Sequence, residues 1–493
     1  MSVQAKLSLG TKVIKGTFWA IGMRWVSRFM GLASMALVAR QLKPEDFGIV
    51  AVSIAIIGLM DSFTNLGADT ALIRHTNPQP KHYNTVWTFT VMMHLFSAWL
   101  IAIVGYFSIY LYHDMRYEGV LYAMSLSMIF NGLANVGVVD FRRKLDYHKD
   151  FQINVGIQMA GVLSTIGLSF LLHSYWALVL GGTIRSLVKV ALSYSMSSYR
   201  PRISLAAHKE MFSFSFWMMI SSISSFLSSK FDRLILARYF SPTILGLYAI
   251  AGEIASMVVF ELLLPIERAL LPALAARQQD KKWLEGNIIR VFNISATMAI
   301  ATGIGLALVA KQVLIIIYGA RYVDAANIMV AMAILNAIYG LNQSSNQFLL
   351  LMDKAKILSL FFMLEAVLTI AMVAGLSVCN FDFQTILYGR FFVAILGFFR
   401  LFYLIKLCKE ITLIKILLAW VRPICAAVAM SYSVDSFKKI FHHDSPVVEL
   451  LSFIVIGGGV YSIVLLLMWF VMKKPQGIEY EILHRINKNI VKI

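Results

Sequence analysis

The sequence predicts an all-α polytopic membrane protein with about fourteen transmembrane helices. Three observations support this prediction: an apolar composition, an internal repeat, and an uneven distribution of positive charge among the loops. Hydrophobic residues make up 59% of the chain and charged residues 14%, and the mean hydropathy is +0.73. Charged residues alone make up about a quarter of an average soluble domain. The long apolar runs must be helical, because the bilayer core offers the backbone no hydrogen-bond partner.

The stretch from Phe18 to Ala51 occurs twice. Shifted by 198 positions without a gap it aligns with Phe216 to Ala249, with eight identities in 34 positions. The identical pairs are Phe18/Phe216, Trp19/Trp217, Ser27/Ser225, Ala39/Ala237, Arg40/Arg238, Pro44/Pro242, Gly48/Gly246 and Ala51/Ala249. The offset carries the first predicted helix onto the seventh, so both copies cross the membrane in the same direction. The repeat therefore predicts two parallel six-helix lobes followed by two extra C-terminal helices.

Six apolar runs of spanning length make up the first lobe. The first run holds Arg24 and Arg28 and is long enough to span, so it is interpreted as a membrane helix and not as a cleaved signal peptide. Polar or charged segments separate the runs, which places these helices at 16–40, 46–73, 84–111, 118–139, 152–173 and 175–198.

Eight further runs follow a polar joint, and the last two fall outside the repeat. They lie at 210–239, 244–273, 287–318, 323–351, 356–378, 384–407, 412–434 and 447–472. The predicted domains are therefore an N-lobe (1–198), a cytoplasmic linker (199–209), a C-lobe (210–407), helices thirteen and fourteen (408–472) and a basic cytoplasmic tail (473–493).

Loop charge predicts the orientation of the chain. With the N-terminus inside, most loop lysines and arginines fall on the inner side, and the outer segments hold Lys43, Arg116, Arg321, Lys438 and Lys439. A wrongly counted helix would invert this bias downstream of the error, and no inversion occurs. We therefore expect both termini in the cytoplasm.

Several function classes are excluded or disfavoured by composition and motifs. The loops are too short for a soluble domain, and the absence of a GxxxxGK[ST] motif excludes a self-contained ATP-driven pump. Cys379, Cys408 and Cys425 have no paired spacing, so neither a metal site nor a cofactor is expected. The net charge of +18 lies in scattered loop cations, which membrane topology explains better than nucleic-acid binding.

Four cations inside predicted helices form the candidate site. Arg24 and Arg28 share one face of the first helix, and the matching stripe of the seventh helix carries Lys230 and Arg233. Counted from the helix starts, these residues lie ~12, ~18, ~24 and ~28 Å deep, respectively. Intramembrane charges usually face a cavity or a partner, so we expect a staggered ladder that lines a shared cavity and binds an anionic group as it crosses. Snorkelling to the outer face, with neutralisation by Asp232, is the alternative for Arg233.

Other polar residues in the predicted spans have two alternative roles. The acidic residues either carry a coupling proton or sodium ion or form ion pairs with the ladder, and they are Asp61, Asp69, Asp232, Glu253, Glu261 and Glu365. Arg185 and Lys189 share a face near the inner end of helix six, where snorkelling and ligand contact remain alternatives, and Arg390 and Arg400 lie in helix twelve. Amides in helices four and ten suit sugar hydroxyls, but they also join helices together; they are Asn131, Asn135, Asn336, Asn342, Gln343 and Asn346.

Four motifs resemble one known family. They are ARQLKPEDFGIVAVSIAIIGLMDSFTNLGADTALIR at 39–74, FRRKLDYHKDF at 141–151, LLPALAARQQD at 270–280 and IYGARYVDAANIM at 317–329. In this order they resemble the oligosaccharide flippases of the polysaccharide transporter family, within the multidrug/oligosaccharidyl-lipid/polysaccharide exporter superfamily. The closest likeness is to colanic-acid and O-antigen type exporters, and it covers about residues 10–410.

The resemblance implies a pair of six-helix lobes with a central cationic cavity. It also implies a non-enzymatic flippase that moves undecaprenyl-pyrophosphate-linked oligosaccharide repeat units from the inner to the outer leaflet of a bacterial inner membrane, for capsule, exopolysaccharide or O-antigen synthesis. In related peptidoglycan-precursor flippases, arginines of the first helix serve the pyrophosphate, and Arg24 and Arg28 occupy that kind of position. Membrane lipids, a coupling H⁺ or Na⁺ and other polysaccharide-assembly proteins are the expected partners.

Two alternative functions remain at this stage. A cation-coupled multidrug and toxin exporter would be expected to place acidic and aromatic groups around cationic drugs, which the cationic ladder disfavours. A membrane glycan polymerase or ligase would need a sizeable outer loop with catalytic groups, and the outer segments are short.

Overall fold

The computed structural model describes residues 3–64, 72–73, 75, 77–208, 219, 222–275, 281–352, 354–408, 412–441 and 443–472. Every regular element in these ranges is helical. The chain divides into two compact units, Met1–Gly246 (unit 1) and Leu247–Ile493 (unit 2). The seventh predicted helix, which the repeat assigns to the second lobe, thus lies in unit 1. The predicted tail 473–493 and Asp69 lie outside the described residues, and the domain boundaries drawn from the repeat stay a prediction.

Unit 1 is built mainly from long helices joined by short turns. Its named α-helices are α1 (Val3–Gln41), α2 (Pro44–Thr64), α3 (Pro80–Tyr112), α4 (Arg116–Leu133), α5 (Val139–Arg143), α6 (Tyr147–Leu172), α7 (Trp176–Met196) and α8 (Asp232–Tyr239). A further helical segment covers 222–229, and a 3-10 turn at Val136–Val138 separates α4 from α5. Helix α1 packs on α6, where Trp19 contacts the rings of His148 and Phe151. The tryptophan shared by both repeat copies therefore anchors α1 to the FRRKLDYHKDF motif.

Unit 2 is also helical. Its α-helices are α9 (Pro242–Ala275, which begins in unit 1), α10 (Lys281–Ile317), α11 (Ala326–Leu351), α12 (Ala355–Val378), α13 (Phe383–Leu396), α14 (Phe399–Leu407), α15 (Leu413–Ile440) and α16 (Pro446–Val471). Side chains join the last two helices to α10, because Asn293 donates to the carbonyl of Ala419 at 2.8 Å and Tyr461 to that of Thr297 at 2.8 Å. The two helices outside the repeat are thus packed into unit 2.

The structure confirms the all-α membrane class but not the number fourteen. Ten of the described helices are long and apolar enough to cross a membrane, or up to eleven when α4 with the bent segment Val136–Arg143 counts as one span. The other three predicted spans lie in α1, in the partly described seventh helix and in the twelfth, which is divided at Gly397–Phe398 into α13 and α14. The twelfth span is thus two short helices, neither long enough to cross a membrane alone.

Two glycines related by the repeat pack against each other's helix. A methyl group on Gly48 would overlap the carbonyl of Pro242, and one on Gly246 would overlap the carbonyl of Pro44. The contact is symmetric, since each glycine meets the proline that begins the partner copy's helix. We call these four residues the glycine seam. The identities found in the sequence therefore serve a backbone approach that only glycine permits.

The helix ends beside the seam are held by charged side chains. Asp46 accepts from the backbone N–H of Lys43 at 2.8 Å and from that of Tyr175 at 3.2 Å. Arg238, which the repeat pairs with Arg40, donates to the carbonyls of Tyr110 and Leu111 at the end of α3. A cation at a helix C-terminus satisfies carbonyls that have no partner within the helix.

The predicted linker runs along the start of α3. The backbone N–H groups of Arg202 and Ser204 donate to Asn84 and Thr88 at 2.8 and 2.9 Å, and that of Ala207 donates to Thr85 at 3.1 Å. Side chains on one face of α3 thereby supply the acceptors that this irregular segment lacks.

Candidate functional site

The cations of the first helix lie on described parts of α1. Arg24 is half-buried and Arg28 is exposed, and both side chains have partners within the protein. Helix α1 continues without a break to Gln41, so the two residues keep the one-face relation that their spacing predicts. Their role in binding substrate stays a prediction.

The cations of the seventh helix lie at a break in that helix. Residues 222–229 are helical, Lys230 and Phe231 form a turn, and α8 begins at Asp232. Lys230 is exposed and Arg233 is half-buried, whereas Asp232 is 2% exposed and has a partner of its own. The depths predicted for Lys230 and Arg233 assume a continuous helix and stay a prediction. A discontinuous helix at membrane depth is also where transporters commonly place ligand sites.

The acidic residues expected in the second helix of each lobe occupy differing environments. Asp61 on α2 is exposed and lies within electrostatic range of Lys189 on α7. On α9, Glu253 is exposed and Glu261 is half-buried with a partner. Their coupling role stays a prediction.

Unit 1 contains a polar network between α4 and α7. Lys189 donates to Asn131 Oδ1 at 3.1 Å, and Asn131 Nδ2 donates to Ser186 Oγ at 3.1 Å. Ser127 and Thr183 share a hydrogen bond of 2.7 Å one turn further along the same interface. The sequence indicated both Lys189 and Asn131 as intramembrane polar residues, but not that they meet.

Unit 2 contains a buried ion pair. Glu365 on α12 lies 3.0 Å from Arg400 on α14, with side chains 7% and 3% exposed. Arg400 also donates to the carbonyl of Gly397 at the break between α13 and α14 and stacks on Phe362. Glu365 thus has an arginine partner that is not one of the four cations of the predicted ladder, and its coupling role stays a prediction.

A second buried arginine lies close to this pair. Arg390 on α13 is 7% exposed, donates to the hydroxyl of Tyr248, and adds its positive charge to the field at Glu365. The residues Glu365, Arg390 and Arg400 therefore carry one negative and two positive charges. Spacing along the chain gave no sign of this grouping, because the three residues come from two spans.

Amides in α11 lie next to the same helix break. Asn342 is 1% exposed, and its Oδ1 has no hydrogen-bond partner in the described part of the chain. A methyl group on Gly397 would lie 3.3 Å from Asn342 Nδ2 and 2.8 Å from Arg400 Nη2. The buried amide and the guanidinium therefore converge on the break in the twelfth span.

An apolar groove of about 390 Å³ lies in unit 2. It is formed by α10, α15 and α16 with one residue of α9, and side chains such as Leu308 and Phe453 line it. Gly305 and Gly458 border open space in the groove, since a methyl group at either position would meet no atom within 4 Å. The helices outside the repeat thereby add an apolar groove whose described lining carries no charged side chain.

Comparison with known families identifies the chain. A family model described as polysaccharide biosynthesis protein matches residues 37–327. The chain belongs to this family. The match includes the repeat helix from Leu37, α2 with its acidic Asp61, and three of the four motifs in full. The resemblance to polysaccharide transporters predicted from the motifs is confirmed by this result and by the relatives below.

Several curated relatives support the family assignment. The chain is 24% identical over 364 residues to the lipopolysaccharide biosynthesis protein WzxC of Escherichia coli (strain K12), covering 71% of this chain and 72% of that protein. It is 20% identical over 461 residues to the succinoglycan biosynthesis transport protein ExoT of Rhizobium meliloti, covering 92% and 93%. This multi-pass membrane protein therefore matches both relatives along most of their lengths.

Solved structures show the same fold. The lipid II flippase MurJ, in an inward closed conformation, superposes with a TM-score of 0.74 over 92% of this chain and 99% of that chain, at 13% identity. An inward-facing MATE family transporter of the MOP superfamily superposes with a TM-score of 0.59 over 78% and 96%, at 14% identity. These similarities establish the fold and carry no information on substrate.

Proposed function

We propose that this protein is a flippase that moves polyprenyl-pyrophosphate-linked oligosaccharide repeat units from the inner to the outer leaflet of a bacterial inner membrane. The observation that carries the proposal is the set of intramembrane cations Arg24, Arg28, Lys230 and Arg233 in a member of the polysaccharide biosynthesis protein family. The relatives' names, which refer to lipopolysaccharide and succinoglycan, support a glycan substrate.

The cations suit the pyrophosphate of such a substrate. A guanidinium or ammonium group replaces water lost by the phosphate oxygens, and charge-assisted bonds from arginine to phosphate are both strong and directional. The membrane potential, negative inside, favours outward movement of the anion by about 2.3 kcal/mol per charge per 100 mV. Parallel lobes suit alternating access, with an inward proton or sodium ion to reset the cycle.

The groove in unit 2 suits the polyprenyl tail. Its hydrocarbon lining, from residues such as Leu308 and Phe453, offers an isoprenoid the same environment as lipid, so the tail would enter without losing favourable transfer free energy. A drug exporter would gain nothing from intramembrane cations, because they repel cationic drugs.

The test is complementation of a strain that lacks its own flippase and supplies a matching glycan. The parent chain should restore surface polysaccharide, and Arg24→Ala and Arg28→Ala should each reduce export by about tenfold or more, since each removes a charge-assisted bond to phosphate. Export is measured as the amount of surface polysaccharide divided by the amount of expressed protein. Gly22→Ala on the same helix is the control, because a methyl group there meets no atom within 4 Å.

The outcomes are distinct. Export by both arginine variants at the parent's level would contradict the role of the α1 cations. Failure of the parent to export any supplied glycan, while correctly inserted, would contradict the flippase assignment.

A further inference from the structure

Two cations occupy one face of α7, in the interior of a membrane span. Arg185 and Lys189 are four residues apart and therefore share that face. Counted from Trp176, they lie ~14 and ~20 Å along the helix. Arg185 is nearly as far from one end of α7 as from the other, so it lies at mid-helix and not near the inner end, as was predicted from the sequence. A charge at such depth costs about 2.5–3.5 kcal/mol or more unless it faces water, a partner or a ligand.

Lys189 is held in a defined position. Its ammonium donates to Asn131 on α4 at 3.1 Å, and Ser186 orients that amide by accepting from it at 3.1 Å. Lys189 also lies within electrostatic range of Asp61 on α2 and of His94 on α3. The hydrogen bond to α4, together with the packing of the Arg185 stem against Gly161 of α6, shows that this face of α7 meets neighbouring helices of unit 1.

Arg185 is positioned by packing, and it has no polar partner among the described residues. Its aliphatic stem lies on Gly161 of α6, where a methyl group would be 2.9 Å from Cδ, 3.0 Å from Cβ and 3.1 Å from Cγ. The side chain is exposed, and its guanidinium makes no hydrogen bond, ion pair or ring contact within the part of the chain that the structure describes. Gly161 therefore allows the stem to lie flat while all five N–H donors stay available.

Resting on the proposed function, we infer that Arg185 and Lys189 bind an anionic group of the transported molecule as it passes through unit 1. The planar guanidinium of Arg185 can donate two parallel hydrogen bonds to two oxygens of one oxyanion, and the ammonium of Lys189 adds a positive charge one helical turn away. Asn131 is a positioning residue, because it acts through Lys189. Snorkelling does not account for the pair, since Lys189 is hydrogen-bonded sideways to α4 and Arg185 lies mid-helix.

Two groups of a lipid-linked glycan share this chemistry. One is the pyrophosphate of the carrier, and the other is the carboxylate of an acidic sugar. The probes are therefore inorganic pyrophosphate and glucuronate, titrated separately by calorimetry into the purified full-length chain in detergent. Tighter binding of pyrophosphate would show that the α7 cations bind the pyrophosphate of the carrier. Tighter binding of glucuronate would show that they bind the carboxylate of an acidic sugar, and either result supports the inference.

The variants distinguish loss of a positive charge at Arg185 or Lys189 from displacement of the Arg185 side chain. Arg185→Ala should weaken binding of the preferred probe by about tenfold or more, and Lys189→Ala by about threefold to tenfold, because each removes a charge-assisted bond. Arg185→Lys should retain part of the affinity. Gly161→Ala should weaken binding severalfold by displacing the arginine stem, and the matched control Gly167→Ala on the same helix should leave it unchanged, since a methyl group there meets no atom within 4 Å.

Unchanged binding in both Arg185→Ala and Lys189→Ala, or no binding of either probe by the parent, would overturn the inference. The export assay described above separates this result from failure of the proposed function. A parent that exports glycan while Arg185→Ala binds and exports normally leaves the flippase assignment intact and removes the α7 site. A parent that binds pyrophosphate through Arg185 but exports no glycan supports the α7 site and contradicts the flippase assignment.

Discussion

At the level of single residues, the buried charges of unit 2 occur in contact and not alone. Glu365 and Arg400 are 3.0 Å apart with both side chains nearly inaccessible, and Arg390 adds a second positive charge nearby. Burying either partner alone would leave an uncompensated ion, whereas the pair offsets much of the desolvation penalty. We therefore expect the pair to hold α12 against α14.

Glu365→Gln tests this role. Neutralising the carboxylate leaves two buried arginines without their shared counter-ion, so the free energy of unfolding should fall by about 3–5 kcal/mol. The measurement is thermal unfolding of the purified chain in detergent, followed by intrinsic fluorescence.

The double variant Glu365→Gln/Arg400→Met is the control. Replacing the guanidinium with an apolar side chain removes the stranded charge, so much of the lost stability should return. A single variant as stable as the parent that nevertheless fails to export glycan would instead indicate a coupling group, contrary to a structural ion pair.

The sequence predicts which polar residues lie inside the membrane spans, but it does not predict which of them are in contact. Apolar context alone places Glu365, Arg400 and Lys189 inside predicted spans. Their partners could not be predicted, because pairing depends on the rotation of each helix against its neighbours and a single sequence holds no record of it. Asn131 shows the limit: amides were expected to join helices, and Asn131 joins α4 to α7 through Ser186 and Lys189, partners that the spacing could not connect to it.

At the level of elements, the repeat explains the glycine seam. Gly48 lies near the start of α2 and Gly246 near the start of α9, and each meets the proline of the other copy. Because the opposing atoms belong to the backbone, they cannot move away by a change of rotamer. Any side chain at either position must therefore push the two helix starts apart.

Gly48→Ala should destabilise the protein. Alanine normally stabilises a helix relative to glycine by about 0.5–1 kcal/mol, but overpacking at the seam should cost about 1–3 kcal/mol. The net change in the free energy of unfolding should thus be a loss, measured by thermal unfolding in detergent, with a parallel loss expected for Gly246→Ala.

Gly182→Ala on α7 is the matched control, since a methyl group there meets no atom within 4 Å. It should leave stability unchanged or raise it. The same sign of change in Gly48→Ala and Gly182→Ala would show that the two helix starts do not touch in the folded protein.

Helix breaks were the least predictable elements. The twelfth span is interrupted at Gly397–Phe398 and the seventh at Lys230–Phe231, although neither break contains proline. Pro423, the residue type most expected to end a helix, lies inside the continuous α15. At Gly397 the carbonyl accepts from the backbone N–H and from Nε of Arg400, and Arg400 in turn pairs with Glu365 on α12. The apolar runs predict only that a span exists and not where it is interrupted.

At the level of the whole molecule, orientation rests on loop charge. The cytoplasmic bias of lysine and arginine predicts both termini inside, and the same topology places the turn after α12 on the outer side and the 199–208 segment on the inner side. Contacts within the protein do not report which side faces the cytoplasm, because they are the same in either orientation. The three native cysteines make the orientation measurable with little engineering.

Cys379 should react with a membrane-impermeant maleimide in intact spheroplasts. It is exposed at the end of α12, on the predicted outer side. Cys408 is buried, and Cys425 lies in the interior of the α15 span, where a membrane-impermeant reagent does not reach. Cys379→Ser should abolish labelling. In that background Ile203→Cys, at a position 83% exposed on the predicted inner side, should label only after the membrane is permeabilised. Labelling of Ile203→Cys in intact spheroplasts, with protection of Cys379 in the parent, would require the opposite orientation, and the membrane potential would then oppose the proposed export of an anion.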